Sequence, residues 1–265
     1  MDLTRLTSIS FASTLLAVSA HAVSIITIND IQDEVFGTLQ SSFTTADYTV
    51  SSSVNSPLLV VAVAIEQFDT SVTGITFGAQ NFSLASELEV PDGGNGGYVG
   101  IYYLANPIED AATGITVTTN VATATLALSA FTLSNVNQVT PIGDTATFGD
   151  AAGAVDPSTS LTTVGNESLL ISSLMSGGNI GEYSVASPGS QVTELGGGFS
   201  GVFLEVGAWE GGALGNTSSL QFDGSTGTRV VLASSEFIAI PEPSEYAFLV
   251  GLVGAGALMM RRRKS

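Results

Sequence analysis

Leu58-Leu59-Val60-Val61-Ala62-Val63-Ala64-Ile65 is an eight-residue run without a polar side chain. Its length suits a strand, its valines and isoleucine are β-branched, and the Ser56-Pro57 step before it disfavours a helical entry. An extended segment with no polar face needs cover on both sides. The run therefore predicts a strand at the centre of a β protein, buried on both faces. A second stretch, Ala122 to Ala130 (ATATLALSA), alternates small polar and apolar residues almost perfectly and reads as a half-buried strand.

The same texture extends outward from these two runs. Short β-branched or aromatic runs occupy Ser24 to Ile28, Gly74 to Phe77, Val99 to Leu104, Gly114 to Thr119, Ala122 to Phe131, Ser168 to Met175, Gly201 to Ala208, Ser218 to Phe222 and Arg229 to Leu232, with glycine-rich or polar turns between them. No segment carries a long apolar stripe at helical spacing. About ten strands at this spacing predict an all-β chain, an antiparallel β-sandwich of jelly-roll type.

Charge is distributed unevenly. Of six basic residues, Arg5 lies near the start, Arg261, Arg262, Arg263 and Lys264 near the end, and Arg229 alone in between. Arg5 precedes an apolar, small-residue run from Ile9 to Ala20, and Ala20-His21-Ala22 has the small-x-small form of a signal-peptidase site. A charged start, a short apolar core and such a site predict a secretory signal peptide over residues 1–22, cut after Ala22.

The other end, residues 241–265, runs Pro241-Glu242-Pro243, then an apolar stretch from Tyr246 to Met260, then the basic cluster. Fifteen residues of helix span roughly 22 Å against a hydrocarbon core of about 30 Å, so the arms of Arg261 to Lys264 would have to snorkel to the headgroups. The cluster should stay cytoplasmic and the body outside.

This order of proline-glutamate-proline, apolar helix and arginine cluster resembles the PEP-CTERM sorting signal of Gram-negative bacteria. The resemblance covers Pro241 to Ser265. It implies processing by exosortase, a membrane-embedded cysteine protease, in cells that make extracellular polysaccharide. Ile240 and Glu245 depart from the usual flanking residues, which leaves the cut site open. The body has a looser resemblance to a domain of secreted bacterial and phage proteins, carried by Leu58 to Val63, Val72 to Gly78, Ile101 to Pro107, Phe131 to Pro141 and Leu169 to Ile171. That resemblance implies a β-sandwich and no activity.

Between the two ends, residues 23–240 form one expected exported domain. Of the 24 acids, Asp2, Glu242 and Glu245 lie outside it, leaving 21 against the single base Arg229 and a formal charge of −20. Such a surface repels phosphates, so nucleic acid is not an expected partner. The body has no cysteine, histidine or lysine. Ser-His-Asp, Cys-His and Ser-Lys pairs cannot be assembled, nor can the usual zinc sites. The chain reads as a non-enzyme.

The residual candidates are few. Arg229 should form either one ion pair that pins a strand or a carboxylate-binding site. Pro91-Asp92-Gly93-Gly94-Asn95-Gly96-Gly97 reads as a hairpin loop or, through Asp92 and Asn95, as a calcium loop, although it offers one carboxylate and no known calcium-motif spacing. Asp144, Asp150 and Asp156 mark an acidic stretch that reads as a solvated loop, with calcium as the sharper alternative. No other cofactor is expected. Trp209, beside glycines, and Tyr98, Tyr102 and Tyr103 are candidate stacking faces for sugar rings, against the commoner role of core aromatics.

The first functional reading is thus a non-catalytic envelope or extracellular-matrix protein, with signal peptidase, exosortase, a transient membrane anchor and exopolysaccharide as its surroundings. A carbohydrate-binding module is the second. A glycoside hydrolase or lyase is the third; among 21 carboxylates some suitably spaced pair is inevitable, so the sequence cannot argue for it.

Overall fold

The computed structural model describes residues 25–67, 69–90, 96–177, 183–196, 202–224 and 229–240. The Leu58–Ile65 run is a strand with all eight residues buried, as its composition requires. The described residues are all-β, and every pairing between strands is antiparallel.

The first half of the chain holds β1 (Ile28–Phe36), β2 (Gln40–Tyr48), β3 (Leu58–Ile65), β4 (Val72–Phe77), β5 (Gln80–Asn81), β6 (Ser83–Val90), β7 (Gly97–Ala105), β8 (Thr113–Thr123) and β9 (Leu126–Leu133). The second holds β10 (Ile142–Asp150), β11 (Ser158–Thr162), β12 (Leu169–Ser176), β13 (Tyr183–Val185), β14 (Ser190–Gly196), β15 (Phe203–Glu210), β16 (Thr217–Gly224) and β17 (Val230–Phe237). Each half makes two sheets. The first gives an inner sheet β1-β9-β3-β7-β6 and an outer sheet β2-β8-β4-β5. The second gives an inner sheet β10-β17-β12-β15-β14 and an outer sheet β11-β16-β13.

Three apolar cores hold the four sheets in a stack. The two inner sheets face each other across a core containing Val60, Ile101 and Phe131 from one half and Ile171, Val206 and Phe237 from the other. The opposite face of the first inner sheet presents Val61, Val63 and Leu128 to Phe43, Phe77 and Val117 of its outer sheet. The opposite face of the second presents Leu174, Phe203 and Leu232 to Leu161, Leu220 and Phe222. Inner strands therefore need apolar residues on both faces, and β3, β9 and β17 are buried at every position.

The strand orders repeat. If β1 to β4 match β10 to β13 and β6 to β9 match β14 to β17, both inner sheets have one order and both outer sheets share another, with β5 the one strand lacking a counterpart among the described residues. Details of register repeat as well. The β6–β7 hairpin bulges between Leu84 and Ser86, opposite Tyr102 and Ile101, and the β14–β15 hairpin bulges at the matching point, between Gln191 and Thr193. The halves also pack reciprocally. β1 lies against β14 and β10 against β6, while β7 lies against β17 and β15 against β9. Exchanging each strand for its counterpart reproduces the same pairs, which is the property of an approximate two-fold axis through the middle core.

Three expectations need correction. Ala122 to Phe131 is not one strand; β8 ends at Thr123 and β9 starts at Leu126, so the perfect alternation straddles a hairpin turn. The stretch holding Asp144 and Asp150 is β10 rather than a loop, because Ala146 and Phe148 alternate into the core beneath it. Of Ser24 to Ile28, only Ile28 enters a strand among the described positions.

Candidate functional site

Arg229 stands at the head of β17 and is almost fully buried. Its Nη2 donates to Oε1 of Glu66, the residue that follows β3. The pair bridges the two halves at one end of the middle core. Burial pushes the Glu66 carboxyl up, and the charge and hydrogen bond of Arg229 pull it back. The one base of residues 23–240 is thereby committed to an internal ion pair, the first of its two expected roles. Further links between halves are a 2.5 Å hydrogen bond from Thr193 Oγ1 to Asp33 Oδ2 and two backbone bonds, Asn137 N to Ile238 O at 2.9 Å and Ile240 N to Asn135 O at 3.0 Å.

Of the candidate stacking residues, Trp209, Tyr98 and Tyr102 lie inside and Tyr103 is half-buried against the middle core. Trp209 is 3% exposed and meets Phe222 edge-on, with ring centroids 5.7 Å apart. Its indole packs on Gly189 and Gly207, where a Cβ would come within 2.4–2.5 Å of the ring. Tyr102 is 6% exposed and Tyr98 is buried. Neither Trp209 nor Tyr102 offers a ring face to a sugar; the glycines beside Trp209 make room for the indole in the core rather than for a ligand.

The calcium candidates are not brought together. Asp144 and Asp150 lie six residues apart on β10, roughly 20 Å at the rise of a strand. Each caps local backbone. Asp144 Oδ1 accepts from Thr145 N at 2.9 Å and its Oδ2 from Thr162 N at 2.7 Å, Asp150 Oδ1 from Ala152 N at 2.8 Å, and Asp156 Oδ1 from Gly224 N at 2.9 Å. Asp92 and Asn95 lie outside the described residues, as do Ala20, Ala22 and the whole of 241–265.

What the sequence reading missed is a set of glutamates on inner strands. Glu236 of β17 is fully buried, yet its carboxylate accepts from the backbone amides of Val164, Gly165 and Asp144 at 3.0–3.1 Å. Gly143 permits that approach, because a Cβ there would sit 2.2 Å from Glu236 Oε2.

The bulged hairpins carry two more sites, at matching positions. In the first half, Glu87 of β6 faces Gly100 of β7, and Glu87 Oε2 accepts from Tyr98 Oη at 2.5 Å and Tyr102 Oη at 3.0 Å. The phenols lie over Gly100, where a Cβ would meet Tyr98 Oη at 2.7 Å. Burial pushes both phenols well above the usual tyrosine range, and the neighbouring phenol and the carboxylate add to this for Tyr98.

In the second half, Glu194 of β14 faces Glu205 of β15. Glu205 is 0% exposed, and neither carboxyl oxygen has a hydrogen-bond partner of good geometry. Among the described residues no other carboxylate oxygen is buried without one. Burial first and the Glu194 charge second push its carboxyl up to about 8, against a smaller pull from the Val185 backbone amide. A sequence signal did exist. Ser83-Leu84-Ala85-Ser86-Glu87-Leu88 and Ser190-Gln191-Val192-Thr193-Glu194-Leu195 are two copies of one pattern, and Glu205 interrupts an apolar strand.

A pocket of about 400 Å³ lies by the end of the described chain, lined by Val164, Leu214, Glu167, Ile238 and Ile240 among others. Its lining offers one carboxylate and no base. No protein-family model, curated protein or solved structure matches the chain, so the resemblances of tail and body rest on the residues quoted for them.

Proposed function

We propose that the chain is a non-catalytic building block of the cell envelope or extracellular matrix. It is exported by its signal peptide, held in the membrane by the apolar stretch 246–260, and released by an exosortase cut near Pro241-Glu242-Pro243. The observation that carries this reading is the commitment of Arg229 to Glu66 inside the stack. With its one base internal, the exported body turns toward its surroundings a surface that carries carboxylates and no basic side chain. Such a surface stays soluble and resists self-association except through cations or a polymer of complementary chemistry. Burial of Trp209 and Tyr102 weighs against the carbohydrate-binding module built on those rings.

Each half is, in this reading, a jelly roll. Leaving out β5, the inner order 1-8-3-6 and the outer order 2-7-4 are those of an eight-stranded roll whose fifth strand has moved to the edge of the inner sheet. Two rolls packed through their inner sheets would serve as a spacer.

The test is the intact mass of the mature protein from Gram-negative hosts with and without exosortase. The reading expects a start at Val23, an end near residues 241–243 and loss of Arg261 to Lys264 only where exosortase is present. Surface protein that retains the basic cluster, or is cut identically without exosortase, would sink it.

A further inference from the structure

The two hairpin sites are a comparison internal to the chain. Glu87 and Glu194 occupy the same place on equivalent edge strands, each four residues past the hairpin's first serine and one past its bulge. In the first half two phenols close over the carboxylate. In the second half register puts Phe203 at the place of Tyr98 and Gly207 at the place of Tyr102, so both hydroxyl donors are gone. The place of Gly100 is taken by Glu205. Two donors have thus been exchanged for one further acceptor.

The donors that remain are weaker: the Val185 backbone amide lies near Glu205 without forming a hydrogen bond of good geometry, and Gln191 Nε2 serves Glu194 alone. Opposite Glu205 on β12 stands Leu174, and along its own strand the same face carries Phe203 and Gly207. Glu194 is exposed and takes a 3.0 Å hydrogen bond from Gln191 Nε2. Directly opposed residues of an antiparallel pair hold their Cβ atoms about 4.5–5.5 Å apart, so the two carboxyl groups share one spot, Glu205 at its floor and Glu194 at its mouth. Glu236 shows the contrasting solution on the same sheet, where three main-chain amides satisfy a buried carboxylate.

We propose that Glu194 and Glu205 bind a hard divalent cation of the calcium class, which supplies the positive charge that tyrosine hydroxyls replace in the first half. Two carboxylates would provide up to four oxygens, and water the rest of the usual six to eight. The exposed Glu194 gives the ion its way in. Binding displaces the proton from Glu205, so affinity depends on pH.

The chain supplies its own reporter. Trp209 is the sole tryptophan and lies on the same face of β15, with its indole against Gly207. Calcium chloride is titrated into purified, metal-stripped full chain at fixed ionic strength, with Trp209 emission and melting temperature as readouts. The expected result is a saturable single-site change in both readouts. Glu205→Gln should abolish the saturable change while melting cooperatively. Glu194→Gln should weaken it, and Glu210→Gln, an exposed position on the same strand, should leave it intact. A Glu205→Gln chain that responds like the parent, a parent with no saturable response, or an equal effect from sodium chloride would overturn the proposal.

Discussion

Two glutamates decide how this molecule handles charge. Glu66 shows how the body uses its one base, on a part-buried bridge between halves instead of on a ligand. Glu205 shows what happens where no cation is left. In metal-free buffer it holds its proton in the native state up to about pH 8, whereas the unfolded chain releases it near 4.5. Between those values the unfolded state binds fewer protons, so stability drains as pH rises, and the contribution is flat below and above the window. Comparing the parent with Glu205→Gln by urea denaturation from pH 4 to 9 isolates this group from the other carboxylates. The parent should lose a few kcal/mol more than the variant across that window, at no more than about 1.4 kcal/mol per pH unit. Parallel pH profiles would contradict the assignment.

At the level of elements, the strands differ in how plainly they were written. β3 and β12 were legible because apolar residues on both faces leave runs such as LLVVAVAI, where β-branched valines and the preceding Ser-Pro favour a central strand over a buried helix. β2, β6 and β10 were not, because an edge or outer strand buries one face and tolerates Ser, Thr, Asp and Gln on the other, as in QSSFTTADY and IGDTATFGD. Asp144 and Asp150 looked like loop acids for that reason. The glutamate sites were hidden for a different one: they arise from cross-strand register, which brings Glu194 to Glu205 but leaves no local pattern except the repeated Ser-x-x-x-Glu-Leu. Trp209 misled because glycines beside an aromatic ring look alike whether they admit a sugar or the ring itself. The inner edges also test the packing of the halves. Gly149 of β10 lies under β6, and a Cβ there would fall 2.2 Å from Val90 Cγ2 and 3.0 Å from Leu88 Cδ2. Gly149→Ala should cost about 1–3 kcal/mol by urea midpoint. Val90→Ala in the same chain should recover most of it, since the two changes share one contact. Purely additive losses would mean that β6 and β10 do not meet as described.

Over the whole molecule, the stack has the logic of a two-fold dimer written into one chain. Its middle core draws from both inner sheets, and each inner sheet is the wall of two cores at once. Neither half can lose its inner sheet without exposing the other's, so the body should unfold as a unit even though its strand order repeats. This coherence would suit the proposed matrix role, since the body has no disulfides and its stability rests on apolar burial and backbone pairing. Calorimetry of the full chain and of two variants, Ile101→Ala from the first half and Ile171→Ala from the second, tests the shared core most directly. Both side chains are fully buried in it, and each truncation should cost about 2–5 kcal/mol. The account predicts one transition, with calorimetric and van't Hoff enthalpies in agreement, that both variants shift downward together. Two separate transitions, each moved by only one of the variants, would contradict it.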